Sequence, residues 1–195
     1  MNIIRNVFAL VGLVAVLAGG VVYVKVAPVR ERIAEFDPKA METYMEMMGN
    51  ILKTGNAPEA TVWRVEVQDG VSFEDVDETI KFVANQHNIK NVGELPLWKQ
   101  VEAMTGEKQR IAKIYMLCNP LVAYKMMDHN DAYSAYLPCR VSVVEDKKGK
   151  FSIYSLNMDP MIYGGLPLPA ELKAEAIKVK EIILDIMNKA ASGDL

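Results

Sequence analysis

The chain has only two cysteines and two histidines in 195 residues. It holds no Cys-x-x-Cys pair, no haem-attachment motif, no glycine-rich phosphate loop and no Ser/His/Asp set. Those absences weigh against an enzyme. Basic charge is also scarce: 22 Lys and Arg stand against 25 Asp and Glu, a net charge of -3, with no dense basic cluster. A nucleic-acid partner needs a basic footprint, so this balance argues against one. What remains is 51% apolar and 24% charged, ordinary for a folded domain, in a chain long enough for one core and an appendage.

Both cysteines fall between Arg110 and Pro160, the stretch with the clearest strand alternation. Residues 111–118 read as a strand, and Asn119-Pro120 reads as a helix start, because Asn caps and Pro suits the first turn. Strand alternation puts Ala112, Ile114, Met116 and Cys118 on one face, and Cys139, Val141 and Val143 on one face of a second strand. Both sulfurs are therefore expected in one core layer. The motif Cys118-Asn119-Pro120, paired with Leu137-Pro138-Cys139-Arg140 and followed by Asp159-Pro160, resembles the domain of unknown function 302 family. The likeness runs from about Trp63 to Lys189. It implies a small α+β domain, often dimeric, and no particular reaction.

The first 28 residues form the other strong signal. From Asn6 to Val24 there is no charge, a run of about 19 residues that could cross roughly 30 Å of hydrocarbon at 1.5 Å per residue. A cleaved secretory leader is the competing reading, with Val16-Leu17-Ala18 before Gly19 as its cleavage site, although no Cys follows Ala18-Gly19-Gly20 to make a lipoprotein. The apolar run continues past that site through Val24, which favours an uncleaved anchor over residues 1–28. Lys25, Arg30 and Arg32 outnumber Arg5, so the positive-inside count alone favours the reverse orientation. The expectation is nevertheless a bacterial single-pass protein of the cytoplasmic membrane, amino terminus inside and C-terminal domain in the periplasm.

Residues 29–56 link this segment to the domain. Asp37-Pro38 opens a helix there and Gly55 closes it. Met41, Met45, Met48 and Leu52 form one apolar stripe, expected to pack on the domain or, with Trp98, on a partner: other membrane-protein subunits or a second copy. Met41, Met45, Met47 and Met48 are also four thioethers crowded on one helix, a donor type that suits Cu(I); helical periodicity explains their spacing equally well.

The domain proper is expected over residues 57–195. Thr61 to Gln68 alternates as a half-buried strand, and Ser72 with Asp75 resembles a capping box at the start of a helix burying Phe73, Val76, Ile80, Val83 and Ala84. Glu74, Asp75, Asp77 and Glu78 read as a solvated helix start, and His87 as a helix-end residue near the last carbonyls. Gly93 and Pro96 mark a loop before a short helix. Arg140 to Asp146 and Phe151 to Leu156 read as a hairpin, and Leu172, Ala176, Val179, Ile183 and Met187 as the buried stripe of a final helix. The expected fold is α+β, a small mixed sheet of about four strands covered by helices and preceded by a single transmembrane helix.

If the two cysteine-bearing strands are parallel through a crossover, their sulfurs stand some 20 Å apart and cannot bond; antiparallel strands would leave a bridge open. An unbridged Cys118 precedes a helix N-terminus, where positive partial charge lowers a thiol pKa. Cys118, Cys139, Met126, Met127 and His129 are thus candidate redox or metal ligands, although a buried free cysteine more often behaves as a small hydrophobe. No cofactor is required by the sequence, copper being the one metal these donors suit. Three functions follow: a non-catalytic accessory subunit docking on a larger membrane complex, a periplasmic soft-metal or thiol-redox protein, and a binder of small apolar ligands beside Cys118.

Overall fold

The computed structural model describes residues 2–194; Met1 and Leu195 lie outside the described residues. Five strands make one sheet: β1 (Val62–Glu66), β2 (Lys90–Pro96), β3 (Ala112–Cys118), β4 (Cys139–Glu145) and β5 (Phe151–Leu156). Their order is β1-β5-β4-β3-β2 and every neighbouring pair is antiparallel. The expected four-stranded mixed sheet is corrected on both counts. The extra strand is β2, where Gly93 and Pro96 suggest a loop. An edge strand tolerates both residues, because its outer backbone groups have no ladder to complete. The register shifts between Asn91 and Gly93, and a Cβ on Gly93 would stand 2.7 Å from Met116 Cε.

The parallel crossover fails because the chain returns to the end of β3 that it left. Helix α6 (Pro120–His129) and a 3-10 turn over Asp131–Tyr136 lead to the cis Leu137-Pro138 peptide, and β4 then starts with Cys139 opposite Leu117.

Ahead of the sheet come α1 (Asn2–Ala34), α2 (Ala40–Thr54) and α3 (Ala57–Ala60). The transmembrane anchor expected over residues 1–28 is also corrected: among the described residues, no helix is long and apolar enough to cross a membrane. The apolar run is not a segment of its own. Helix α1 continues without a break through Lys25, Pro28, Arg30, Glu31 and Arg32, so charged turns belong to the same helix as the apolar ones.

Helices α4 (Phe73–Gln86) and α8 (Ala170–Ser192) cover one face of the sheet, and α5 (Leu97–Thr105) joins β2 to β3. Val76, Ile80 and Val83 from α4 and Ile183, Ile186 and Met187 from α8 close over Tyr115, Leu117, Val141, Val143 and Ile153. Each such side chain contributes about 1.5–3 kcal/mol when fully buried. The capping box forms, with Ser72 Oγ accepting from Asp75 N. His87 serves differently from expectation: its Nε2 lies 2.7 Å from Asp185 Oδ2 and ties α4 to α8.

The inward face of β3 carries Lys113, Tyr115 and Leu117, not Ala112, Ile114, Met116 and Cys118 as the alternation suggested. Apolar side chains lie on both faces of this strand, so Lys113 breaks the pattern without revealing which side is inside. Its ammonium is held by Asp77 of α4 and by Glu94 of β2, the latter at 2.6 Å, and stands 4.7 Å from the Tyr115 ring centroid. Asp77 also accepts from Tyr115 Oη and from Lys81, at 2.7 Å from the lysine. Part of the acidic run thus neutralises a buried lysine. Burial works against ionisation of Asp77, but the bonds from Lys113, Lys81 and Tyr115 outweigh it and hold its carboxyl below the usual range.

Candidate functional site

The site is built where β3 ends and β4 begins. Asn119 caps α6 with its side-chain oxygen, accepting from Leu121 N at 3.2 Å and Val122 N at 3.3 Å. Cys118, the last residue of β3, and Cys139, the first of β4, both line one cavity of about 30 Å³. Met126 enters from α6, and Met158 and Met161 enter around the start of α7 (Asp159–Tyr163). Val122, Tyr133 and Val179 complete much of the wall. The two sulfurs share a lining, as expected, although Ala112, Ile114 and Met116, grouped with Cys118 by strand alternation, are not the buried residues of β3.

Both cysteines are free thiols. Burial pushes the Cys118 thiol up, and burial together with the nearby Cys118 pushes Cys139 up to about 11. The lowered pKa expected from the helix end is therefore corrected in sign. Desolvation in an apolar pocket exceeds the effect of partial charges already occupied by the Asn119 cap.

An open cleft of about 390 Å³ adjoins the pocket and shares Tyr133 and Met161 with it. Tyr133 Oη donates to Met161 O at 3.2 Å, which braces that common wall. His129, Asn130, Tyr136 and Leu166 line the cleft. A third cavity, of about 30 Å³ under Arg140, shares Cys139, Met158 and Met161 with the thiol pocket.

Of the candidate ligands, the structure brings together Cys118, Cys139 and Met126. Met127 and His129 do not line the thiol pocket. One residue along a helix is a rotation of about 100°, so Met126 at 3% exposure faces the core while Met127 is turned aside and His129 reaches the cleft. Sequence reasoning missed Met158 and Met161. They are three apart across a proline-started turn, a spacing that puts two thioethers on one side, and that signal was readable. Among the described residues, no group of three or more His, Cys, Asp or Glu side chains could hold a metal ion.

The other motif residues are structural in placement. Asp159, ahead of Pro160, pairs with Lys180, whose ammonium lies 5.6 Å from the Trp63 ring centroid. Arg140 is exposed, and its carbonyl accepts from Ser155 Oγ at 2.9 Å. Trp98 is half-buried and stands edge-on to Phe73, ring centroids 5.6 Å apart. Helix α2 docks through Ala40 and Thr43, while Met41, Met45, Met48 and Leu52 face outward. Met47 is half-buried, so the four α2 thioethers do not face a common point.

Comparison with known proteins agrees with this architecture. No curated protein matches the chain. A crystal structure of an uncharacterized conserved DUF302 protein from Bacillus stearothermophilus superposes with a TM-score of 0.54 at 16% identity, over 67% of this chain and 98% of that one, a likeness of fold alone. A family model described as domain of unknown function DUF302 matches residues 63–190, which carry the sheet, both covering helices and the thiol pocket, and the chain belongs to that family.

Proposed function

We propose that the domain binds one soft metal ion, Cu(I), in the sulfur-lined pocket. The observation that carries the reading is that two thiols and three thioethers, from β3, β4, α6 and the start of α7, line a single apolar cavity. At about 30 Å³ the cavity takes an ion or a water and is far below the roughly 300 Å³ at which organic-ligand pockets begin. It offers no carboxylate, so hard cations are disfavoured, whereas thiolate and thioether donors suit Cu(I). Charge sets the proton count. One thiolate with Cu(I) is neutral and tolerable in a dry pocket; two thiolates would leave a net negative charge there.

The test is an anaerobic titration of the full chain with Cu(I) against a chromophoric competing chelator. One ion per chain is expected, with release of about one proton and affinity that rises with pH, because the thiols are held protonated when empty. Cys139→Ser and Met158→Leu each weaken binding at least tenfold. Absence of stoichiometric binding, or binding indifferent to both substitutions, overturns the reading.

A second reading, a non-catalytic docking domain, rests on α2. Met41, Met45, Met48 and Leu52 are 54%, 63%, 49% and 80% exposed along one face of a helix whose other side is fixed to the domain. Apolar side chains so aligned mark an interaction surface.

A further inference from the structure

The open cleft of about 390 Å³ falls in the size range of organic-ligand sites, whereas the thiol pocket beside it does not. Among the described residues, its wall carries one imidazole, His129, and one thioether, Met161, and no carboxylate, lysine or arginine. Met161 lines the closed pocket as well, so a single soft donor borders both spaces. The wall it belongs to is held by Tyr133, whose Oη donates to Met161 O. The third cavity also reaches Met161, but at about 30 Å³ it takes no more than an ion or a water. Of these three spaces the cleft has the room for a molecule that carries an ion.

We infer that the cleft receives Cu(I) as the complex of a small thiolate, with His129 and Met161 as the donors that meet it, and that the ion passes by way of Met161 to the two cysteines. This rests on the Cu(I) reading and names the form in which the ion arrives. Charge selects that form. A bare cation crossing the apolar wall would carry an uncompensated charge, which is costly to desolvate, whereas a Cu(I) thiolate is neutral. Imidazole and thioether are both donor types that accept copper, so the exposed His129 and the shared Met161 can take up the ion while its carrier is still beside it. The exchange balances. The bond from Cu(I) to the carrier sulfur breaks and a bond from Cu(I) to a cysteine sulfur forms. The proton of that cysteine goes to the carrier, which leaves as a neutral thiol. Copper stays Cu(I), no electron is transferred, and the pocket gains no net charge.

The experiment is stopped-flow transfer of Cu(I) from the loaded full chain, in mild detergent and without oxygen, to an excess of a bulky chromophoric chelator, with and without glutathione as the small thiol. Loading and unloading share one path, so a thiol that fits the cleft speeds removal. Glutathione should accelerate the transfer roughly tenfold, and His129→Ala should remove most of that acceleration. Gly165→Phe and Ala132→Phe fill the cleft from residues that do not line the thiol pocket, and a Cβ on Gly165 meets nothing within 4 Å. Each should abolish the acceleration and leave the equilibrium affinity for Cu(I) unchanged. No acceleration by glutathione in the unsubstituted chain, acceleration that survives the Phe substitutions, or acceleration untouched in His129→Ala overturns the inference, while one ion bound per chain keeps the Cu(I) reading. A chain that binds no Cu(I) at equilibrium overturns both.

Discussion

Lys113→Met tests the ionic cluster that decides which face of β3 is inside. The lysine side chain is 9% exposed, whereas its partners Asp77 and Glu94 are 22% and 29% exposed. Methionine has a similar length, so the substitution removes charge with little change in volume. It leaves two carboxylates facing each other with only Lys81, at 2.7 Å from Asp77 and 3.6 Å from Glu94, still bridging them. Removing one partner of a buried pair costs about 3–5 kcal/mol; partial exposure of the acids and the surviving Lys81 place the cost near the low end, about 3 kcal/mol. For a domain of this size that is roughly 10 °C in melting temperature.

The pH dependence has a definite sign. Burial opposes ionisation of both acids, but bonds led by Lys113 outweigh it and depress both pKa values in the folded state. Their stabilisation is therefore complete above the unfolded values of 3.8 and 4.5, and fades as pH falls through the lower folded values. Without Lys113 the burial penalty acts with less opposition, and protonation relieves it. The deficit of the variant should therefore shrink between pH 7 and pH 4. Urea melts of the full chain in mild detergent at both pH values measure it. A loss under about 1 kcal/mol at pH 7, or a deficit that grows on acidification, refutes the assignment of Lys113 as the cation that neutralises this pair.

Two further predictions concern the thiols and the seat of α2. Cys139 has its pKa raised to about 11 from 9.0, so its protonated form contributes to stability below the unfolded value, and that contribution is lost as pH climbs toward 11. Iodoacetamide labelling of the folded chain at pH 7.5 should be at least tenfold slower than in urea, and comparable rates would show that the pocket is open. Gly164→Ala places a Cβ 2.2 Å from the Pro160 carbonyl oxygen and 2.8 Å from Tyr44 Oη, which forces backbone or α2 to shift. Calorimetry should show a loss of about 1–3 kcal/mol, and an unchanged melting temperature would refute this packing.

Elements whose evidence is local were legible in the sequence. The cap at Ser72, the close of α2 at Gly55 and the hairpin tip, where Asp146 Oδ1 accepts from Lys148 N and Lys150 N, each depend on residues within a few positions of one another. What failed depended on distant partners. Lys113 reads as an outward residue until Asp77 and Glu94, 36 and 19 positions earlier, are brought beside it. Gly93 and Pro96 read as a loop until β3 supplies a neighbour on one side. The stripe of α2 was correct as a stripe, but periodicity does not say whether a face meets the domain or is left over, and here Thr43 and Tyr44 hold the helix the other way round.

The thiol pocket combines both cases. Asn119-Pro120 marks the helix start correctly, and from it the dipole argument predicts an acidic Cys118. The free amides at that end are not idle, however, because Leu121 N and Val122 N already donate to Asn119. Met158 and Met161 arrive from about forty residues away and join an apolar lining around the sulfur. A partial positive charge shared with a cap is a small effect, whereas lost hydration of a thiolate acts on a full charge. Burial therefore prevails, and both thiols have raised pKa values. A pocket of this kind keeps its donors neutral until a cation enters and offsets the charge that deprotonation creates, which is the role proposed for Cu(I).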